Sequence, residues 1–480
     1  MSTATEHASG RAARNVLAVV SGELLGKVAT LVFTVVVARE LGATEFGSLS
    51  YALAFGMLLG TLVKWGFDAD LTRRGAADRA DLDVALGQSL VLRAMHALPV
   101  LVLGGLAGAL TRPSAQAAWT LVLVLLATVL DSFGDAGRAA ATALEQLGRT
   151  VVALVAQRVL ACVLAVLVLL AGGGLVEVAA TYLLSSIAGQ LTLAAVLRSL
   201  GVRPRLTGLD PLALRAMWGR VFLIGLDTVL SMALFRLDAL MIAALADDAE
   251  LAAYSVAYRL METVLFVNWA VSRSTFPAMV RAGSGAPLLR VAESAVAVVG
   301  AVLVPYGVLV ALEGGALVRL LFGDGYGGEP VVTLQLLALA PMSFGVSYLA
   351  SYVLLVQQRK TQVLLATIGG VVANVALNLA LIPAYGARGA GAATTLTYLV
   401  QATVTLAFIA PGNGVLRLDR ALTLPALAAL PMAVALALLD GPVLVVACAG
   451  ALVYVGCYLL LARWHDPAQL DLLRSMAKRS

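Results

Sequence analysis

Apolar runs long enough to cross a lipid bilayer recur along the whole chain, and short polar connections separate them. A bilayer core is about 30 Å thick and takes roughly 20 helical residues to cross, so each run predicts one membrane-spanning helix. The last two runs are short and are separated only by Asp440-Gly441-Pro442, so the prediction is about 14 spans, with a range of 12 to 14. The approximate ranges are 15–37, 48–66, 86–109, 116–137, 150–171, 175–197, 220–246, 250–280, 289–312, 331–356, 361–383, 389–409, 421–439 and 442–462.

Composition supports this pattern and narrows the class of protein. Hydrophobic residues make up 61% of the 480 residues and charged residues 13%, whereas soluble domains carry about 25% charged residues. The chain is therefore predicted to be an all-α integral membrane protein. No connection is longer than residues 198–220, which leaves no room for a soluble catalytic domain, and the glycine-rich segment 322–328 lacks the Gly-Lys-Ser/Thr ending of a nucleotide loop. We expect a secondary transporter without a cofactor rather than an enzyme.

Basic residues are distributed unevenly between the two sets of alternate connections. One set, taken with both tails, holds 21 of the 33 lysines and arginines, whereas the other holds only Arg39, Arg112, Arg319 and Arg388. Cytoplasmic connections of membrane proteins carry the excess of basic residues. Both termini are therefore predicted to be cytoplasmic, and the net charge of +5 reflects topology rather than a surface for nucleic acid.

A weak internal repeat divides the chain into two halves. A shift of 205 positions sets residues 45–52 (E-F-G-S-L-S-Y-A) beside residues 250–257 (E-L-A-A-Y-S-V-A). Six predicted spans separate the two copies, so corresponding helices point the same way, as in a parallel pseudo-twofold repeat about the membrane normal. The predicted domains are residues 1–205, residues 206–410, and residues 411–480 with the last two spans and a cytoplasmic tail.

Three sequence blocks resemble the polysaccharide-transporter (oligosaccharide flippase) family of the multidrug/oligosaccharidyl-lipid/polysaccharide exporter superfamily. Residues 38–47 (A-R-E-L-G-A-T-E-F-G) are similar to the family pattern after the first span. Residues 236–242 and 253–259 resemble its junction between the seventh and eighth helices. Residues 374–390 (N-V-A-L-N-L-A-L-I-P-A-Y-G-A-R-G-A) form the most specific block, and the resemblance extends over about residues 14–410.

The resemblance implies a fold and a function. It implies two six-helix lobes around a central cavity, with two further C-terminal helices. It also implies alternating-access transport of an undecaprenyl-diphosphate-linked oligosaccharide, a repeat unit of a surface polysaccharide such as lipopolysaccharide or exopolysaccharide, from the inner to the outer leaflet of a bacterial cell membrane. Its expected partners are that lipid-linked saccharide, membrane lipid, and the polymerase and glycosyltransferases of polysaccharide synthesis.

Five basic residues lie in the spans that line the cavity in the family's layout: Lys27, Lys64, Arg236, Arg259 and Arg273. A diphosphate that crosses a low-dielectric path needs cationic side chains, so these five are the predicted substrate-binding residues. Three of the five can instead be neutralised on their own helices, because spacings of three or four place side chains on one face. Such spacings pair Lys27 with Glu23, Lys64 with Asp68, and Arg259 with Glu262. Lys64 and Arg273 also lie close enough to a helix end to snorkel to the membrane surface.

Three other basic residues within the spans have simpler interpretations. Arg93 and Arg158 lie seven or eight residues inside their spans, which favours snorkelling over substrate contact. Asp131, Asp135 and Arg138 lie at helical spacing in the fourth span, where Gly134 and Gly137 allow close approach of a neighbouring helix. This pattern favours a structural ion-pair cluster over a proton relay.

Directional transport without ATP requires an ion gradient, and coupling to either Na⁺ or H⁺ stays open. Asp227, Asp238 and Glu262 are candidate proton carriers, because burial can raise the pKa of a carboxyl. The oxygens of Asn374, Asn378 and Thr394, together with Asp227, are candidate Na⁺ ligands. These amides and hydroxyls are equally typical of groups that hold helices together, so no firm metal site is predicted.

Three alternative functions stay open. A flippase for the peptidoglycan lipid precursor shares the diphosphate substrate. A multidrug exporter of the same fold would favour an acidic or aromatic cavity, which the basic first, seventh and eighth spans argue against. A membrane glycosyltransferase or polymerase would need a large outer loop bearing catalytic residues, and this chain has none.

Overall fold

A computed structural model describes the backbone of residues 2–111, 114–208 and 210–465, with side chains between residues 22 and 463 except at 23, 112–113, 147, 209 and 411–413. The described residues form helices and connecting turns, and they contain no strand. The α-helices are α1 Ser2–Lys64, α2 Phe67–Ala77, α3 Arg79–Thr111, α4 Ala115–Ala143, α5 Leu147–Leu170, α6 Leu175–Ser199, α7 Pro211–Leu245, α8 Asp248–Val264, α9 Phe266–Ala282, α10 Gly285–Phe322, α11 Glu329–Leu336, α12 Ala340–Val356, α13 Lys360–Asn413, α14 Leu418–Leu438 and α15 Val443–His465.

Two of these helices are long enough to cross a bilayer twice. Residues 24–64 of α1 form an apolar stretch of 41 residues, and residues 360–410 of α13 form one of 51 residues, against the roughly 20 that one crossing needs. Gly42 in α1 has φ 75° and ψ 177°, and Gly386 in α13 has φ 52°. Only glycine adopts such backbone angles without steric cost, so each glycine separates two spans that the sequence predicts as distinct.

Eleven helices in the described part of the chain are long and apolar enough to cross a membrane. If α1 and α13 each cross the membrane twice, and α8 and α9 together cross once more, the eleven helices give the 14 spans that the sequence predicts. The chain is therefore a multi-pass membrane protein with an all-α fold. Which side of the membrane each terminus faces stays a prediction.

The chain divides into two compact units, Met1–Leu240 and Met241–Ser480. The division falls inside α7, further along the chain than the boundary at residue 205 that the repeat suggests. Met217 and Val221 of α7 explain why, because they pack with Phe67 of α2 and Leu92 of α3 in a buried cluster of the first unit. The boundary between lobes at residue 205 stays a prediction.

The first unit packs α2, α3 and α4 around small and branched side chains. Leu71, Leu82, Leu86 and Ala140 are fully or almost fully buried in this cluster. The unit's most unusual turn is the one between α1 and α2, where Trp65 (φ 42°) and Gly66 (φ 76°) both adopt left-handed backbone angles. This turn directs α2 away from the end of α1, and so it decides where the acidic residues of α2 lie.

The second unit has one core among α9, α10, α12 and α13, and another where α14 and α15 pack together. Met432 and Leu436 of α14 bury against Tyr454 and Tyr458 of α15, with side chains of α10 at the edge of the cluster. The predicted pair of C-terminal helices is therefore present and packs on the rest of its unit.

Candidate transport site

The first unit contains a network of half-buried charged side chains around Lys64, the last residue of α1. The ammonium of Lys64 lies 3.2 Å from a carboxylate oxygen of Asp68 and 3.2 Å from one of Asp135. Arg138 pairs with the same Asp135 from one helical turn further along α4. Lys64 thus connects α2 and α4, and the predicted contact with Asp68 accounts for only half of its pairing.

Arg93 of α3 completes this network from the other side. Its side chain is 0% exposed, and its Nη2 donates to Asp68 while its Nη1 donates to the main-chain carbonyl of Ser132. Its Nε donates to Ser89 Oγ at 3.2 Å. The prediction that Arg93 snorkels to the membrane surface is wrong, because these acceptors satisfy the guanidinium inside the unit.

Arg158 of α5 also turns towards protein. A Cβ placed on Gly26 of α1 would lie 2.7 Å from Arg158 Nη1, so the guanidinium packs directly against the backbone of α1. The side chain is half-buried. Its position favours a contact between α5 and α1 over the predicted snorkelling to the membrane surface.

Asp131 lies beside this network and accepts hydrogen bonds from two side-chain amides. Gln157 Nε2 of α5 donates to its Oδ1 at 2.9 Å, and Gln190 Nε2 of α6 donates at 3.3 Å. A Cβ on Gly134 would overlap the amide of Gln190, which confirms that a small residue admits a neighbouring helix here. The two glutamines were not singled out in the sequence, since an amide in an apolar helix has no spacing pattern that identifies its partner.

The structure locates the remaining predicted residues of the first unit on α1 and α7. Lys27, Asp227 and Arg236 are half-buried, and Asp238 is fully buried. All four make polar or electrostatic contacts. Asp227 lies nine positions before Arg236 in the same helix, a separation too long for a direct contact between neighbouring turns.

In the second unit the predicted basic residues behave differently from each other. Arg259 Nη1 donates to Glu262 Oε2 at 3.0 Å, which confirms the spacing-based pairing on α8. The Nε and Nη2 groups of Arg259 donate to no other described residue. Arg273 of α9 is exposed, as expected for a residue near a helix end.

The predicted oxygen ligands of the second unit are fully buried. Asn374, Asn378 and Thr394 are each 0% exposed. Thr394 Oγ1 lies 3.1 Å from the hydroxyl of Tyr254, and Asn374 Nδ2 lies 3.5 Å from Thr397 Oγ1. These contacts join α8 to α13 and the two halves of α13 to each other, so Asn374 and Thr394 do hold helices together. Among the described residues no group of three His, Cys, Asp or Glu side chains is placed to hold a metal ion.

The block at residues 374–390 contains the turn inside α13, and two glutamates from other helices bind the residues directly after Gly386. Glu250 at the start of α8 accepts a hydrogen bond of 2.7 Å from the backbone N–H of Ala387, directly after Gly386. Arg388 forms a two-point ion pair with Glu329 of α11, at 2.6 and 2.5 Å. The block is recognisable in the sequence, but its two glutamate partners are not, because they lie 137 and 59 positions away along the chain.

One family model and several solved structures match this chain. A family model described as "Polysaccharide biosynthesis protein" matches residues 12–282, more than half of the chain. No curated protein sequence matches. A solved structure of the lipid II flippase MurJ in an inward closed conformation superposes with a TM-score of 0.77 at 13% identity, and covers 94% of this chain and 98% of that one.

Two transporter structures share the fold as well. An inward-facing multidrug resistance MATE family transporter of the MOP superfamily has a TM-score of 0.69 at 18% identity, over 80% of this chain and 93% of that one. A MOP superfamily transporter from Pyrococcus furiosus, whose binding pocket is described as reversed in polarity, has a TM-score of 0.62 at 18% identity, over 84% and 94%. At these identities the likeness establishes the fold, which confirms the all-α membrane fold predicted from the sequence.

Proposed function

Since this chain belongs to the polysaccharide biosynthesis protein family, we propose that it is a flippase for an undecaprenyl-diphosphate-linked oligosaccharide. It moves this lipid, a repeat unit of a surface polysaccharide, from the inner to the outer leaflet of a bacterial cell membrane with both termini in the cytoplasm. The observation that carries the proposal is the family match over residues 12–282, which contains every basic residue assigned to the substrate.

The chemistry of the substrate explains why basic residues inside the spans matter. A diphosphate retains its negative charge in a low-dielectric path only if cationic donors replace the lost water. Arg236 and Arg259 are half-buried at interior positions of α7 and α8, and Arg259 has donors beyond its bond to Glu262. We assign these two residues and Lys27 to the diphosphate. Lys64 already holds two carboxylates, so we place it with the structural charges.

Coupling to an ion gradient is part of the proposal. The buried oxygens of Asn374, Asn378 and Thr394 suit Na⁺, which takes neutral oxygen ligands, whereas Asp238 and Glu262 suit H⁺. In proteoliposomes, an imposed Na⁺ gradient and an imposed pH gradient separate the two ions. Asn378→Ala should abolish stimulation by the Na⁺ gradient and leave a pH-driven rate unchanged, and stimulation by neither gradient would contradict ion coupling.

The substrate is tested by reconstituting the purified protein and following a fluorescent undecaprenyl-diphosphate oligosaccharide between leaflets. Arg236→Glu and Arg259→Glu should each lower the rate by roughly two orders of magnitude, because charge reversal replaces a charge-assisted bond with repulsion. Arg417→Glu is the matched control, since Arg417 is an exposed arginine whose partner is Asp419.

Rival substrates are separated in the same preparation. The peptidoglycan lipid precursor and a small cationic drug replace the oligosaccharide in parallel assays. Faster movement of the precursor would reassign the protein to cell-wall synthesis, and export of the cation alone would reassign it as a drug exporter. Normal rates in both arginine variants would remove Arg236 and Arg259 from the substrate site.

A further inference from the structure

The first unit contains a cleft of about 460 Å³ that the transport site does not use. It lies between α2, the beginning of α3 and the beginning of α7. Its lining consists of Arg73, Arg74, Gln88, Ala213, Ala216 and Arg220. The cleft has the volume of a small-molecule site, for which the usual range is about 300 to 1,000 Å³.

The acceptor groups around the cleft are already used to fix its arginines. Asp70, whose side chain is only 3% exposed, accepts from Arg73 Nη2 at 2.6 Å and from Arg220 Nε and Nη2 at 3.1 and 3.0 Å. Arg74 forms a two-point pair with Asp81 at 2.7 and 2.6 Å. Two bonds each therefore hold the guanidinium groups of Arg74 and Arg220 in one orientation before any ligand arrives, and one bond tethers that of Arg73.

A hydrogen bond from Arg74 also fixes the orientation of the side-chain amide of Gln88. Its Oε1 accepts from Arg74 Nη1 at 2.6 Å, so the group that stays available is the donor, Nε2. Arg73 Nε and Nη1 and Arg220 Nη1 also donate to no described residue. The cleft therefore offers hydrogen-bond donors and cations, and its six lining residues include no carboxylate.

Solvent reaches these donors directly. The side chain of Arg73 is 66% exposed and that of Arg220 is 41% exposed. Planar guanidinium groups bind phosphate oxygens in pairs and are the preferred side chains for that purpose. A set of fixed, exposed guanidinium groups with a neutral donor beside them matches a phosphate or diphosphate better than a carboxylate-bearing or neutral ligand.

The position of the cleft brings it near a membrane surface. α2 lies outside the candidate spans, and α3 and α7 have 33 and 35 residues, where roughly 20 cross a bilayer. Gln88, Ala216 and Arg220 all lie within the first ten residues of those two helices, at or near the start of the predicted spans 86–109 and 220–246. By the distribution of basic residues this end faces the cytoplasm.

We propose that this cleft binds a diphosphate group at the membrane surface. The group is carried either by a polyprenyl lipid or by a soluble diphosphate. If the carrier is the lipid, the cleft receives the substrate before transport, and the inference then rests on the proposed function. Both sources present the same anion to Arg73 and Arg220. Asp70 acts as a positioning residue that holds both guanidinium groups.

The test measures binding of inorganic pyrophosphate to the full-length protein in nanodiscs of zwitterionic lipid by calorimetry. Arg73→Gln keeps the bond between Arg220 and Asp70 and should weaken binding roughly tenfold, the effect of one hydrogen bond to a charged group. Ala216→Trp should abolish binding by filling the cleft without removing an ion pair. Arg417→Gln and Ala216→Ser are the matched controls, and both should bind as the unaltered protein does.

Two results would overturn the proposal: no binding by the unaltered protein at millimolar pyrophosphate, or unchanged binding by both Arg73→Gln and Ala216→Trp. Undecaprenyl diphosphate added to the nanodiscs should displace pyrophosphate if the lipid is the natural ligand, and failure to displace it assigns the cleft to a soluble diphosphate. Arg236→Glu combined with Arg259→Glu should stop transport and leave pyrophosphate in the cleft. The cleft and the transport site can therefore fail separately.

Discussion

The two units of this protein bury polar side chains of different kinds. In the first unit, Arg93, Asp70 and Asp238 are buried with at most 4% of their surface exposed. In the described part of the second unit, every buried polar side chain is neutral. Those side chains are Asn268, Ser272, Thr333, Ser343, Ser347, Thr367, Asn374, Asn378, Thr394, Thr395, Thr397 and Thr405.

This difference has a physical consequence for how the two units tolerate change. A buried charge that loses its partner costs about 3 to 5 kcal/mol, because the remaining charge stays out of water. A neutral hydrogen bond between membrane helices contributes only about 0.6 kcal/mol on average. We therefore expect the first unit to hold one packing strictly, and the second to tolerate repacking of its helices.

The largest expected effect is at Arg93. Arg93→Met keeps most of the side-chain volume but removes the donors to Asp68, Ser89 and the carbonyl of Ser132. Asp68 keeps its pair with Lys64, so the cost is that of three lost hydrogen bonds at about 1 to 1.5 kcal/mol each, and the free energy of unfolding should fall by about 3 to 4.5 kcal/mol. Reversible unfolding in mixed micelles, followed by circular dichroism, measures this change.

Arg417→Met is the control for this prediction, because Arg417 pairs with Asp419 on an exposed surface of the second unit. It should leave the unfolding curve unchanged. A loss of less than about 1 kcal/mol for Arg93→Met would mean that the bonds of this buried arginine contribute no more than a surface pair, and the contrast between the units would fail.

The second prediction concerns Asp70 and pH. Burial by itself would raise the pKa of Asp70, but hydrogen bonds from Arg220 and Arg73 outweigh it and hold the pKa below its ordinary value. A lowered pKa contributes stability above the ordinary value of about 4, and that stability is lost as the pH falls through the lowered value. Asp70→Asn should cost about 1.5 to 3 kcal/mol at neutral pH.

The measurement compares unfolding of the unaltered protein and Asp70→Asn from pH 7 to pH 3. The difference between them should shrink as the pH falls below 4, since protonation removes the same charge that the substitution removes. A difference that stays constant over this range would show that the carboxylate contributes nothing through its ionisation.

Local spacing explains which parts of the site could be predicted from the sequence. Lys64 with Asp68 and Arg259 with Glu262 are four and three positions apart, so helix geometry alone brings them together. The spans were predictable for the same kind of reason, because their length follows from the bilayer. The turns at Gly42 and Gly386 were foreseen only as gaps between apolar runs.

Pairings between distant parts of the chain could not be predicted in this way. Arg93 and Asp68 are 25 positions apart, and Arg220 and Asp70 are 150 apart. Both depend on the left-handed turn at Trp65 and Gly66, which decides where α2 lies. An arginine in an apolar run is therefore as compatible with snorkelling as with burial until the turn beside it is known.

The smallest expected effect is in the neutral core of the second unit, at Asn268 of α9. Its side chain is 0% exposed, and its Nδ2 donates to the carbonyl of Pro341 at 3.0 Å while its Oδ1 accepts no hydrogen bond from the described residues. Asn268→Leu loses one neutral bond but also removes that unsatisfied oxygen, so the free energy of unfolding should change by no more than about 1 kcal/mol.

Packing at the same position supplies the matched control for Asn268→Leu. A Cβ on Gly345 of α12 would overlap Asn268 Oδ1 and lie 3.0 Å from Val299 Cγ1, so Gly345→Ala should cost more, about 1 to 3 kcal/mol. In a core with neutral polar contacts, Gly345→Ala should therefore cost more free energy of unfolding than Asn268→Leu. If Asn268→Leu costs as much as Arg93→Met in the same unfolding assay, the second unit depends on its polar contacts as strictly as the first, and the distinction between the two units is lost.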